Sequence, residues 1–217
     1  MFLGCMVFAI VSNAQIVRSN SSKTVTTTVE KEPSESIWYM RLGLNMMKFK
    51  GEDFVVDENV KSNLGYNWVI GFEKPLGPLF WGMEFGLSSR GFKVEYKGNG
   101  YKESYKLFAH NAIFSPFNIG YKYPISDNLA VEAHLGAFVS GDYFGKWEEE
   151  EYGRKNDWTI YDLDDYIFPD AGMQFGFGMW FSNIGLDLCW QKGFLNITSD
   201  DDDFKSSNFM LRFGVAF

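Results

Sequence analysis

From Ile37 to Phe217, apolar side chains return at every second residue, a period that fits half-buried strands and that an amphipathic helix cannot satisfy. Eight such segments follow one another. The first sets Trp38, Met40, Leu42, Leu44 and Met46 against Tyr39, Arg41, Gly43, Asn45 and Met47, and the last sets Phe209, Leu211, Phe213, Val215 and Phe217 against Asn208, Met210, Arg212, Gly214 and Ala216. Between them the alternation restarts near Leu64, Trp81, Ile113, Leu129, Ala171 and Ile184. The fourth run is the least regular, with Ile113, Phe117, Ile119, Tyr121 and Tyr123 on the apolar face and Phe114, Asn118, Gly120 and Lys122 on the other.

The second face decides the class of fold. A soluble antiparallel sheet turns that face to water and fills it with charged and Thr-rich positions. Here twelve strand glycines occupy it: Gly43, Gly65, Gly71, Gly82, Gly86, Gly120, Gly136, Gly172, Gly176, Gly178, Gly185 and Gly214. Glycine weakens a strand unless something crowds that side. A narrow closed barrel supplies the crowding, because eight sets of inward side chains share one small interior. The expected fold is therefore all-β, an eight-stranded antiparallel up-and-down transmembrane β-barrel with its Phe, Trp, Met and Leu face toward lipid. A secreted lipocalin-like barrel, with the apolar face lining a cavity, is the soluble rival, and its exterior would be mostly glycine.

Connection lengths agree with a membrane barrel. Short turns near Lys74 to Pro78, Pro124 to Asn128 and Ser182-Asn183 alternate with long loops expected at Phe49 to Asn63, Gly91 to Ala109, Gly141 to Pro169 and Gly193 to Ser207. Outer-membrane barrels pair short periplasmic turns with long external loops, which puts both chain ends in the periplasm. Trp38, Phe72, Trp81, Tyr121, Tyr123, Phe181 and Phe217 then form a periplasmic aromatic girdle.

Composition narrows the partners. The 217 residues carry 20 Lys+Arg against 28 Asp+Glu, a formal charge of -8, which excludes the basic surplus of a nucleic-acid binder. No run of about 20 apolar residues offers a membrane-spanning helix. Residues 1–14 read as a signal peptide cleaved after Ala14, and the lack of Lys or Arg before the apolar run makes a start upstream of Met1 the expectation. Residues 15–36 read as a flexible periplasmic tail and 37–217 as the barrel. With Cys5 removed, Cys189 is the one cysteine left, so no intramolecular disulfide forms.

Several short stretches carry a family resemblance. Gly86-Leu87-Ser88-Ser89-Arg90-Gly91, Leu135 to Gly141, Asp170-Ala171-Gly172 leading to Gly176 and Gly178, and Trp190 to Ile197 resemble the PorT-type outer-membrane β-barrel family over roughly Ile37 to Phe217. Trp190 and Phe194 depart from the tyrosine and leucine expected there. The resemblance implies a small eight-stranded bacterial outer-membrane protein; the secretion-system link of the protein that names the family does not transfer by resemblance.

Candidate functional residues fall in two places. Arg41, Glu84, Glu132, Asp187 and Arg212, with His134 nearby, are charged positions facing the lumen, and they should form a hydrogen-bonded ionic plug. Arg41 and Arg212 lie on the first and last strands, which touch only if the barrel closes. An alternative reading makes His134 and Glu132 an acid/base pair acting on lipid, with Ser88 or Ser140 as nucleophile, although no serine-centred motif is present. Outside the membrane, Trp147, Tyr152, Trp158, Tyr161 and Tyr166 make a loop binding surface among acidic runs, Glu148 to Glu151 and Asp200 to Asp203. The acidic spacing lacks the order of a calcium loop, so neither metal nor cofactor is expected. The expected role is structural or binding, without catalysis. The expected partners are outer-membrane lipid and lipopolysaccharide, barrel-assembly machinery through Phe217, and a protein at the external loops; His110 is expected to be merely solvated.

Overall fold

The computed structural model describes residues 35–50, 60–98, 101–151, 153–162, 169–196 and 205–217. The assignments to residues 1–14, to most of the 15–36 tail, to Tyr152 and Tyr166 and to Asp200 through Asp203 lie outside the described residues.

Among the described residues, ten strands form one sheet: β1 (Ile37–Lys50), β2 (Val60–Ser62), β3 (Leu64–Leu76), β4 (Leu79–Gly98), β5 (Tyr101–Ser126), β6 (Leu129–Glu151), β7 (Arg154–Thr159), β8 (Pro169–Phe181), β9 (Ile184–Gly193) and β10 (Lys205–Ala216). Eight of them close a ring in the order β1-β3-β4-β5-β6-β8-β9-β10, each antiparallel to its neighbours. The seam between first and last strands is continuous from Tyr39↔Ala216 to Lys50↔Lys205, so no edge is left in the membrane. Strands β2 and β7 are short additions, on β4 and β6 respectively.

Three hairpins at one end turn in two residues, across Leu76↔Leu79, Ser126↔Leu129 and Phe181↔Ile184. Two of these turns hold a residue at positive φ, Gly77 (φ 76°) and Ser182 (φ 56°). The start of β1 and the end of β10 meet there too, with Phe217 donating its backbone N–H to the Trp38 carbonyl at 2.8 Å.

The two faces of the ring are sorted as alternation requires. Leu42, Leu44 and Met46 on β1, Phe175 and Phe177 on β8, and Phe209, Leu211 and Phe213 on β10 point outward and are 40–57 % exposed. Their neighbours Arg41, Asn45, Gln174, Asn208 and Arg212 point inward and are nearly inaccessible. An outer surface of this kind is stable only against hydrocarbon, so the ring is a transmembrane barrel and the soluble lipocalin-like arrangement is inverted. The five outward positions from Trp38 to Met46 span roughly 20 Å of height at a strand tilt near 40°.

Glycine serves the interior. Large lumen side chains lie directly across from glycines: Tyr39↔Gly71, Asn45↔Gly65, Phe80↔Gly120, Asn118↔Gly136, Glu132↔Gly178, His134↔Gly176 and Trp180↔Gly185. A methyl group at any of these glycines would collide with the side chain opposite. The bare backbone is what lets each long side chain fold across its neighbouring strand.

Two expectations from the sequence are corrected. Ile113 points inward (3 % exposed) and Phe114 outward (41 %), because irregularities at Gly82/Glu84 and Phe114/Phe117 shift register and exchange the faces. Much of the expected loops Gly91 to Ala109 and Gly141 to Pro169 is strand instead. β4 and β5 pair without a break from Arg90↔Ala109 to Gly98↔Tyr101, and β6 continues to Glu151 before β7 folds back on it. A five-stranded crown, β2-β4-β5-β6-β7, therefore carries the barrel wall beyond the membrane.

Candidate functional site

The lumen is built in layers, each set by which inward positions share a level. At the end with tight turns, Glu73 accepts from Lys122 Nζ at 2.6 Å, and Lys122 also lies 3.3 Å from Glu132. The Lys122 ammonium sits 5.2 Å from the rings of both Phe80 and Trp180, an arrangement that attracts a cation to the aromatic faces.

The middle layer gathers the six candidates. Arg41 donates to Glu84 at 2.8 Å and to Glu132 at 2.7 Å, joining β1 to β4 and β6 across the bore. Arg212 donates to Asp187 at 2.6 Å and to Glu84 at 3.3 Å. His134 shares a 2.9 Å hydrogen bond with Asp187. Glu84 also accepts from Tyr39 Oη at 3.0 Å, and Glu132 from Trp180 Nε1 at 2.7 Å. All six side chains are nearly inaccessible. Such charges are costly in isolation, and here each carboxylate meets a guanidinium plus a further donor.

Above this lies a neutral layer, in which Gln174 donates to Asn118 at 2.9 Å and accepts from Gln191 at 3.0 Å, and Asn45 donates to Ser88 at 3.1 Å. A second ionic group follows, with Arg90 donating to Asp142 at 2.8 and 2.5 Å, standing 3.8 Å from Asp170, and Ser206 donating to Asp170 at 2.6 Å. The apolar side chains Phe92, Val94, Leu107, Ala109 and Ile160 are buried at the crown end.

This geometry does not join Glu132, His134 and a serine. Glu132 is engaged by Arg41, Lys122 and Trp180, His134 by Asp187, and Ser88 by Asn45. His134, Asp187 and Cys189 bring one ligand-type atom each within 4.8 Å of one another. Both Asp187 oxygens, however, are already held by His134 and Arg212. The group is thus explained as part of the ionic layer.

Of the described aromatics of the expected loop surface, Trp147 and Trp158 belong to strands, and Tyr161 lies in a short 3-10 turn, Ile160–Asp162. Trp147 on β6 is paired with Trp158 on β7 and packs against Phe92 (6.0 Å between centroids) and Tyr105 (6.1 Å). Trp158 (38 %) and Tyr161 (60 %) remain exposed, and Tyr161 Oη donates to the Tyr143 carbonyl at 2.6 Å. The acidic run Glu148 to Glu151 is strand too, with Lys106–Glu148 at 3.4 Å and Lys155–Glu150 at 4.0 Å. At the crown's other edge Glu95 accepts from Lys61 at 2.7 Å and lies 2.7 Å from Lys93. These lysine hydrogen bonds hold the Glu95 carboxyl down at about 2.

His110, rather than being merely solvated, bonds Tyr66 Oη at 2.7 Å and stands among Phe108, Tyr143 and Phe144 with ring centroids 5.0–6.2 Å away. Together they make an aromatic group at the crown end on the β3–β6 side. On the opposite rim, Trp38 packs against Phe72 (5.5 Å between centroids) and Phe72 against Trp81 (5.4 Å), three of the seven aromatics expected to share a girdle.

No protein-family model matches the chain, and no curated protein matches it. Solved structures do. Ail of Yersinia pestis, in complex with the heparin analogue sucrose octasulfate, is 15 % identical with a TM-score of 0.40, over 84 % of this chain and 99 % of that one. Neisserial surface protein A is 15 % identical with a TM-score of 0.40, over 83 % and 97 %. The N-terminal β-barrel domain of Pseudomonas aeruginosa OprF is 8 % identical with a TM-score of 0.31, over 80 % and 96 %.

Proposed function

We propose that this chain is a bacterial outer-membrane barrel with a filled, non-conducting lumen, which serves through its external crown as a structural or binding protein and not as an enzyme. One observation carries the reading: the Arg41–Glu84–Arg212–Asp187 network, extended by Glu132 and His134, crosses the bore from β1 to β4, β6, β9 and β10. Water and ions would have to break several buried ion pairs to pass.

The tight-turn end, where β1 begins and β10 finishes, faces the periplasm in this reading, and the crown faces outward. Residues 1–14 then serve as the export signal, and Phe217, on the lipid face at the terminus, as the feature read by barrel-assembly machinery. The crown's exposed Trp158 and Tyr161 offer a surface for a protein partner. The PorT-type resemblance is kept within this proposal. Its motif glycines Gly136, Gly176 and Gly178 lie under Asn118, His134 and Glu132, so the motif supports the packed lumen.

Purified protein in planar bilayers tests the central point. No stepwise conductance is expected from the intact chain, whereas open-channel steps like those of a porin would refute the filled lumen.

A further inference from the structure

The outward face of β4, β5 and β6 is notched near the crown. Ala112 on β5 is paired with Gly141 on β6, and a depression of about 180 Å³ opens over them, lined also by Phe85, Phe114 and Val139. A methyl group added at Gly141 would meet nothing within 4 Å. On the tight-turn side the notch is floored by the cross-strand row Phe85–Phe114–Val139, whose side chains are 41–53 % exposed.

Toward the crown, the next outward residues are His110 on β5 and Tyr143 on β6. The irregularity between His110 and Asn111 leaves Tyr143 as an extra residue between the paired Asp142 and Phe144, so Tyr143 and Phe144 both point outward. Tyr66 reaches across β4 to the same place, with its Oη 2.7 Å from His110 Nδ1. Two phenols and an imidazole therefore roof the notch. They offer hydrogen bonds without a fixed charge, which suits an ester carbonyl better than a phosphate. Along β6, Leu129 to Val139 climb roughly 26 Å at a strand tilt near 40°, about the height of a barrel's apolar band. The notch thus lies at the crown-side limit of the hydrocarbon, and the rings of His110 and Tyr143 stand where amphipathic rings meet the polar layer.

We infer that this notch binds one acyl chain of a glycerophospholipid, with the hydrocarbon over Ala112 and Gly141 and the ester carbonyl of that chain at His110 Nε2. The occupant follows from continuity, because the floor belongs to the face already turned to hydrocarbon, and a gap there would leave its lining atoms without contacts. With the Tyr66 phenol donating to Nδ1, the ring proton of His110 sits on Nε2 and is donated to the carbonyl oxygen. The site needs a barrel lying in a membrane and is the same whichever way the crown faces.

The test titrates the full chain, refolded in detergent, with dioleoyl phosphatidylethanolamine, with the diether analogue that has no ester carbonyl, and with lipid A, and counts bound lipid by native mass spectrometry. The intact chain should hold one diester phospholipid and bind the diether about fivefold more weakly. Gly141→Leu, which fills the notch, should weaken the diester on the order of tenfold. Ala133→Leu, farther down the outward face of β6, should bind as the intact chain does. His110→Phe should weaken the diester about fivefold and no longer distinguish it from the diether. Migration before and after boiling reports folding of every variant; if Gly141→Leu does not fold, Ala112→Leu replaces it with the same expectation. Diester affinity unchanged by a leucine in the notch, or by His110→Phe, would overturn the site, as would a diether bound by the intact chain as tightly as the diester. Lipid A bound more tightly than the phospholipid, or a two-chain complex that Gly141→Leu dissolves, would also overturn it, by assigning the notch to lipopolysaccharide or to a second copy of the chain.

Discussion

Replacing Arg41 with methionine keeps most of the side-chain volume and removes the charge that bridges Glu84 and Glu132. The lost hydrogen bonds measure 2.8 and 2.7 Å, and both carboxylates are nearly inaccessible. Charge-assisted hydrogen bonds contribute about 1.5–3 kcal/mol each, so the direct loss is about 3–6 kcal/mol. Glu84 keeps Arg212 and Tyr39, and Glu132 keeps Lys122 and Trp180, which softens the loss. The expected destabilisation is therefore about 3 kcal/mol, at the lower end of what breaking a buried pair costs. Urea unfolding of vesicle-inserted protein, followed by tryptophan fluorescence, measures it. Adding Glu132→Gln should recover at least about 1 kcal/mol, since one of the two buried carboxylates that lost a guanidinium is then neutral. A single variant within about 0.5 kcal/mol of the intact protein would show that the bore is wet enough to solvate free carboxylates, and the packed-lumen argument would fail.

Gly176→Ala should destabilise by about 1–3 kcal/mol, because its methyl would stand 2.5 Å from His134 Cε1; Gly141→Ala, with nothing within 4 Å, should be neutral in the same unfolding assay. The Glu95 clamp should respond to acid. Its folded pKa of about 2 lies below the ordinary 4.5, so its contribution is full above about 4.5 and is lost as pH falls toward 2. Amide exchange at Val60–Ser62, corrected for intrinsic rate, should show less protection at pH 2 than at pH 6, and Glu95→Gln should remove that difference. An unchanged pH response in the variant would assign the effect to another group.

Parity in the sequence was enough to place Arg41, Glu84, Glu132, His134, Asp187 and Arg212 inside one lumen, because every second residue of a strand shares a face. Parity carries no information about partners: the His134 to Asp187 contact spans β6 to β9 and depends on the missing side chain at Gly176 between them. Glu73 and Lys122 lie on the same face, but near strand ends, where a charge reads equally well as solvated. Arg90, Asp142 and Asp170 were hidden for a different reason. Dense charge in Gly91 to Ala109 and Gly141 to Pro169 reads as loop, yet opposite charges on adjacent strands, such as Lys106 and Glu148, stabilise an extended sheet outside the membrane. The irregular pairing near Phe114 is also invisible to a fixed period, since one extra residue inverts every face beyond it. Trp147 reads from the sequence as an exposed loop aromatic, whereas its partners Phe92 and Tyr105 come from strands that only the crown's register brings beside it.

Which face meets hydrocarbon can be measured directly. Spin labels placed singly at Leu42, Leu44, Phe209 and Leu211 in vesicle-inserted protein should be relaxed strongly by dissolved oxygen and weakly by a water-soluble nickel chelate, with labels at Asn45 and Asn208 shielded from oxygen. Labels at the leucine and phenylalanine positions that instead respond to nickel, while those at Asn45 and Asn208 respond to oxygen, would turn the barrel inside out and contradict the account.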